Sequence, residues 1–528
     1  MLLTRSLLPK LPAEIAPLHD TNQSKVGWVH FGPGKFFQAH VADYLHGAQN
    51  ARAHDGRTTN YGILVVKPTE RDPHFEEDLR AQGGLYTHIR RTSAGDESYV
   101  NAAIKGVLNL ARESSAVVNA FTGIEKIRGV TLTITQAGYR LNSTMDGVDL
   151  KDTLIQHDIA NPWKPVTVVG ALAAGLVQRA NASLPLPLLI PCDNMPGNGT
   201  KLGMVLESYM DAAFSRELAA RARGEFVTLN TMVDRIVPDK DPVGTLRTLA
   251  TRYGFADACA TVCDPHARFV VQEPENGRDQ LLRGLEPLVQ AGMEIVKDVR
   301  PFEDAKIRGL NGAHMAIGLT GTLLGQELVH ETLVRPPVLR FITHMMDSVA
   351  ESVPTITNKP GFTATILQRL GNQGLPDKVS RLIIQTASKV SQRLVNYPAI
   401  NEGRGYEASA MAVAVWLHAL RGTDVRGNQM TIADEPTEKL REAARGHDFK
   451  PDTFLLNAGP KVFDPDKIDA DKKGNVGLFL RQVTHNLKAI EDHSLMGALD
   501  RAFPDRSQPV AVRTVNPPPS QPTNKLVT

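Results

Sequence analysis

"VGWVHFGPGKFFQAH", residues 26–40, decides the fold. Its first six residues are apolar or aromatic around one histidine, the composition of a short buried strand. Gly32-Pro33-Gly34 then interrupts the run, and a helix-like pattern follows from Lys35 and Phe36 to His40. A strand, a glycine turn and a helix in that order suit the pyrophosphate of a dinucleotide. The glycines allow close approach, and the phosphate charge meets a helix N-terminus. Phe37 stands where the third glycine of G-x-G-x-x-G belongs, so the turn alone fits a nucleotide site and an ordinary strand-to-helix connection equally.

Working outward, residues 61–67 (YGILVVK), 127–135 (IRGVTLTIT) and 184–192 (LPLPLLIPC) repeat the strand-like composition, and helical runs such as 201–222 lie between them. That alternation predicts a mostly parallel sheet covered by helices. From about residue 305 the pattern changes. Residues 307–325, 338–353, 377–395 and 408–422 space apolar positions by three and four, which predicts an all-helical second half. The expected organisation is therefore α/β: a Rossmann-like dinucleotide-binding domain over 1–298, then a mostly α-helical substrate and catalytic domain over 299–503. Residues 463–475 (FDPDKIDADKKGN) read as a solvated loop, and the proline-rich segment 504–528 as a disordered tail.

At 528 residues the chain exceeds what one hydrophobic core usually supports. With 59 basic against 57 acidic side chains it has no global field for a polyanion, which argues against nucleic acid as partner. The first apolar stretch is broken by Arg5, Pro9, Lys10 and Pro12, and "VVGALAAGLV" at 168–177 is too short to span a bilayer, so a cytoplasmic protein with no membrane partner is expected. Three cysteines, Cys192, Cys259 and Cys263, fit a reducing compartment. Cys259 and Cys263 lie four apart on what reads as a helical stretch, without the second ligand pair that zinc requires. No metal is expected.

Four further stretches carry candidate chemistry. Lys67 ends the second strand, where dinucleotide folds usually place an acid for the ribose 2′-hydroxyl. A basic residue there tolerates a 2′-phosphate, so NADP stands beside NAD; the plainer reading is a surface lysine. "LLIPCDNMPGNGTKL" (188–202) puts Asp193 and Asn194 at the end of a strand, where open sheets bind ligands, although an Asx-turn accounts for Asn194 equally well. "NTMVDRIVP" (230–238) embeds Asp234 among apolar neighbours, either paired with its own Arg235, the expectation from the residues alone, or available to a ligand hydroxyl. "KIRGLNGAH" (306–314) carries Lys306, Asn311 and His314. On an α-helix at about 100° per residue the three can share one face, and Gly309 and Gly312 cost roughly 1 kcal/mol each relative to alanine, which calls for a close approach by a cofactor or another backbone. A lysine desolvated beside a cationic ring can take a proton from a secondary alcohol, amides can hold the developing alkoxide, and a histidine can orient a hydroxyl.

Together "VHFGPGKFFQAH", "GGLYTHIRR", "TLTITQAGY", "CDNMPGNG", "NTMVDRIVP", "KIRGLNGAH" and "WLHALRGTDVRGNQMTIADE" resemble, in order, the polyol-specific long-chain dehydrogenases and reductases, the family of mannitol 2-dehydrogenases and fructuronate and tagaturonate reductases. The resemblance implies metal-independent interconversion of a polyol and a ketose, mannitol and fructose in type, in a cleft between the two domains. By position it makes Lys306 the general base and Asn194 and Asn311 the oxyanion-stabilising amides. His314 and Asp234 match substrate-orienting residues, and Arg369 a residue reaching substrate. Gly32, Pro33, Gly34, Lys35, Phe36, Lys67 and Thr135 form the implied cofactor site for NAD, with NADP as the alternative. The chain departs from the family pattern at Gln38 in F-x-R-A-H, at Gln136 in T-E-x-G-Y and at Leu370 and Gln373 in R-F-x-N-P; Lys389 has no assigned role. Two other readings follow from the same residues. One is a sugar-acid reductase using Arg369, Arg140 or Arg308 for the carboxylate; the other is a catalytically silent dinucleotide-binding protein.

Overall fold

The computed structural model describes residues 1–54, 61–70, 73–223, 225–238, 244–274, 278–430, 435–446, 449–459 and 462–505. The tail expected to be disordered lies, from residue 506, outside the described residues. The chain divides into two compact units. The first holds Met1–Lys306 with two short later segments, Val353–Thr355 and Asn372–Asp377, and the second holds the rest from Ile307.

The first unit is organised by a six-stranded sheet: β1 Val26–Phe31, β2 Gly62–Lys67, β3 Ile104–Asn109, β4 Gly129–Leu132, β5 Leu188–Pro191 and β6 Val227–Thr228. All its pairings are parallel, and the spatial order is β3-β2-β1-β4-β5-β6. This is the doubly wound order in which the direction of winding reverses between β1 and β4. Period-two alternation sends Val29 and Phe31 into a core with Phe121, Leu172 and Leu176, and Trp28 into the opposite core with Leu45, Ile63 and Phe269. Helix Val168–Asn181 is buried along most of its length and capped by the Thr167 side chain. It packs beside Leu110–Gly123, and its buried Arg179 satisfies the carbonyls of Ile124 and Glu125 that follow that helix. Among the described residues no helix is long and apolar enough to cross a membrane.

The parallel sheet was legible, whereas two smaller sheets were not foreseen. Tyr86–Thr92 pairs antiparallel with Gly95–Asn101 and parallel with Thr261–Cys263; Arg268–Gln272 pairs antiparallel with Thr231–Asp234 and parallel with Glu294–Val296. Cys263 accordingly lies on a strand, with Cys259 in the loop before it, and the helical reading of that stretch is wrong.

The second unit is helical, with no strand among its described residues beyond isolated bridges. Pro336–Ser352 buries Val338, Phe341, Ile342, Met345, Met346 and Val349, one stripe at spacings of three and four. Glu407–Leu420 is buried from Ala408 to Leu420 except at the half-buried His418. Residues 377–395, read as one helix, form only the short helices Val379–Leu382 and Val390–Arg393, separated where Gln385 takes φ +54°. The acidic segment 463–475 is not a plain solvated loop: it forms two 3₁₀ turns and buries Ile468.

Candidate active site

The carboxyl ends of β1 and β4 meet at the winding reversal, and the glycine turn lies there. Gly32 has φ +92°, and a Cβ on it would stand 2.3 Å from the Thr133 carbonyl oxygen, so only glycine fits. The Thr133 hydroxyl donates back to the Gly32 carbonyl at 2.6 Å. Gly34 has nothing within 4 Å on its Cβ side, which leaves open space at the start of helix Lys35–Ala39. This cradle fits a pyrophosphate without the third glycine, because Phe37 stacks on the His30 ring at 3.7 Å and joins helix to strand through aromatic contact. His30 is fully buried, contacts the hydroxyls of Thr131 and Thr133, and is pushed down to about 3 by burial.

Of the other cofactor candidates, Lys35 donates to the carbonyl oxygen of Ala260 at 2.9 Å and Phe36 stacks on His40. Lys67 is only 5% exposed and is engaged within the protein, which overturns the surface-lysine reading. Thr135, at the end of β4, has φ +61°, and its amide donates to Asp193 Oδ1 at 2.7 Å.

Lys306 reaches the segments that follow β5 and the strand Thr231–Asp234. Its Nζ donates to the Val233 carbonyl at 2.5 Å and to Asn194 Oδ1 at 3.1 Å. Because Asn194 spends its oxygen on the lysine, its amide nitrogen remains the donor it can offer a ligand. Asp234 does not pair with Arg235. Arg235 Nη1 instead donates to Asp43 at 2.7 Å, and the Asp234 carboxylate lies 3.7 Å from His266 Nε2. The expected pair fails because adjacent residues on a strand point to opposite faces. His266 was missed by the sequence reading, as nothing local marks it; it follows Pro265 and is brought to Asp234 only by the antiparallel pairing of Arg268–Gln272 with Thr231–Asp234.

The loop between β5 and helix Asn198–Ala213 owes its shape to Asn198, also missed. Its buried side chain donates to the backbone of Pro191, Asp193 and Thr231 and accepts from the amides of Gly199 and Thr231. The Gly197 amide donates to Glu303 Oε1 at 3.1 Å, tying that loop to the turn before Lys306.

Residues Ala305–Asn311 form a π-helical turn, so the α-helical geometry assumed for KIRGLNGAH is corrected: the turn is wider and the angles between Lys306, Asn311 and His314 differ. The glycines also have a packing reason. A Cβ at Gly309 would strike the Phe362 ring at 2.6 Å, and one at Gly312 the Arg393 carbonyl at 2.5 Å. Within the second unit Asn311 Nδ2 is buried without a protein acceptor, His314 is 9% exposed on helix Gly312–Leu323, and Arg369 is half-buried near the end of Lys359–Leu370. Lys389 donates to the Ile384 carbonyl. Arg140 is paired with Asp152 at 2.9 Å, and buried Arg308 donates to Ser352 and Asn396. Among the described residues there is no group of three or more histidines, cysteines and acids placed to hold a metal.

A doubly wound sheet with a glycine turn at its winding reversal, and a lysine held on an asparagine beyond the strand ends, defines a dinucleotide-dependent oxidoreductase. The chain belongs to the mannitol dehydrogenase family, matching its Rossmann domain over residues 26–282 and its C-terminal domain over 298–490, and is thus a polyol dehydrogenase. It is 30% identical over 507 residues to mannitol 2-dehydrogenase of Pyricularia oryzae, covering 93% of this chain and 95% of that one. To mannitol 2-dehydrogenase of Aspergillus terreus it is 31% identical over 492 residues, with 90% and 93% covered. Among solved structures it resembles a D-sorbitol dehydrogenase in substrate-free form, with TM-score 0.81, 26% identity and 94% and 100% coverage. It also resembles Pseudomonas fluorescens mannitol 2-dehydrogenase in a ternary complex with NAD and D-mannitol, with TM-score 0.76, 27% identity and 95% and 99% coverage.

Proposed function

We propose that the protein interconverts a polyol and a ketose of the mannitol and fructose type with NAD, using Lys306 as general base and no metal. The observation that carries the reading is the placement of Lys306 Nζ on Val233 and Asn194, one residue from Asp234. The nicotinamide, when bound, supplies the acceptor for the hydride that leaves the carbinol carbon. Neutral Lys306 takes the hydroxyl proton, the C–O bond becomes a carbonyl, and the amide nitrogens of Asn194 and Asn311 donate to the oxygen as it gains charge. The unpartnered, buried Asn311 amide suits that role, because a donor buried without an acceptor is costly unless a ligand supplies one. Asp234, His314 and Arg369 orient the remaining hydroxyls.

A neutral substrate is favoured over a sugar acid. Of the three arginines considered for a carboxylate, Arg140 is paired with Asp152 and Arg308 is buried and donates to Ser352 and Asn396, which leaves Arg369, while Asp234 beside the base would repel an anion. Steady-state turnover of Lys306→Ala tests the mechanism. The expected loss in kcat is about 10²–10⁴-fold, the usual contribution of a positioned base, with NADH binding retained. Near-normal turnover would remove Lys306 from the base role.

A further inference from the structure

Asp193 sits directly before Asn194 but faces the other way, toward the end of β4. It is 7% exposed, and both carboxylate oxygens are used: Oδ1 accepts from the Thr135 amide at 2.7 Å and Oδ2 from the Tyr139 hydroxyl at 2.8 Å. Thr135 needs such a hold, because φ +61° is a conformation β-branched residues rarely adopt. The held residue lies two positions beyond Thr133, whose backbone carbonyl closes on Gly32. We propose that Asp193 is a positioning residue for the dinucleotide: its carboxylate clamps the Thr135 turn beside the glycine cradle, and cofactor affinity depends on that carboxylate being ionised. The inference rests on the NAD reading above.

The groups that face Asp193 are the Tyr139 hydroxyl, the amides of Ile134 and Thr135, and the thiol of its neighbour Cys192. None carries positive charge. Burial raises the Asp193 carboxyl to about 6, while it raises Tyr139 and Cys192 well above their ordinary ranges. His30, on the adjacent strand, is already neutral there. Protonation of Asp193 near pH 6 removes the charge that strengthens its bond from the Thr135 amide and obliges the Tyr139 hydroxyl to turn from donor to acceptor, so the clamp on Thr135 loosens.

The test is NADH binding by fluorescence titration between pH 5.5 and 8, on the full chain. Wild type is expected to hold a constant Kd at the upper end and to weaken below about pH 6, by at most about tenfold per pH unit. Asp193→Asn is expected to bind about tenfold or more weakly at pH 8, as for a lost hydrogen bond to a charged group, and without the pH break. In that background Thr135→Gly, which tolerates positive φ unaided, should recover part of the affinity, a rescue that a general packing role would not give. Tyr139→Phe removes one donor and should move the break to higher pH, so the inference remains testable if Asp193→Asn fails to fold. Wild-type binding with an unchanged Asp193→Asn, or an unmoved break in Tyr139→Phe, overturns the inference alone. Wild type that binds no NADH at any pH overturns the cofactor reading itself.

Discussion

Lys67 shows what a residue's surroundings decide that its identity does not. As a letter after a strand it suggested a surface cation able to meet a 2′-phosphate; as the last residue of β2 it is buried and engaged within the protein. Beyond it, Glu70 is exposed and paired with Arg112 at 3.1 Å, so that arginine is also occupied. NADH should therefore be used with at least about tenfold higher kcat/KM than NADPH, since among the described residues an added phosphate would meet no uncommitted cation there. Equal use of the two cofactors in parallel kinetic runs would refute this. Lys306 and Asn194 were legible because their motifs are distinctive, and the structure places them in hydrogen-bond contact. Asp43, His266 and Asn198 were not, because each works through partners distant in sequence: Asp43 meets Arg235, Arg90 and His88 only after the chain folds.

At the scale of elements, the turn Ala305–Asn311 is the clearest case in which periodicity misled. Counting at a fixed angle cannot reveal a π-turn, which widens the helix by one residue per hydrogen bond and recurs at functional sites. Its glycines called for close approach by a cofactor or another backbone, and at Gly312 it is the backbone at Arg393, with Met345 beside it, that takes the room. Gly312→Ala should lower stability by about 1–3 kcal/mol despite alanine's better helix propensity, because the neighbour at 2.5 Å is a carbonyl that cannot swing aside. Chemical denaturation measures it, and a variant as stable as wild type would show that the contact relaxes freely. Residues 377–395 failed as a helix for a related reason: Ile383, Ile384 and Thr386 are β-branched, and Gln385 leaves helical space altogether.

For the whole molecule, the alternation of strands and helices was enough to predict the doubly wound sheet, since parallel strands require covered faces and intervening helices. It was silent on the two three-stranded sheets, whose strands are short and pair across long separations. A set of buried histidines, from His30 on β1 to His88 on one of these sheets, makes stability depend on pH. Burial pushes His30, His40, His46 and His88 down to about 3 and His19 to about 4. These groups are depressed, so between those values and the ordinary 6.5 the unfolded chain binds more protons than the folded one, and stability is lost as pH falls through that window. Asp193, Asp257 and Glu303 are raised and act in the opposite direction, but five histidines outweigh three carboxyls. The urea midpoint should fall between pH 7 and pH 5; a constant or rising midpoint would mean that the histidines are protonated in the native state.

The activity claim is most directly tested by following reduced-nicotinamide absorbance with purified protein, NADH and D-fructose, beside fructuronate and tagaturonate. Consumption of NADH with D-fructose and a hexitol as product is the predicted result. Consumption only with the two uronates would contradict a neutral polyol as the substrate, and silence with all three would contradict the assigned reaction.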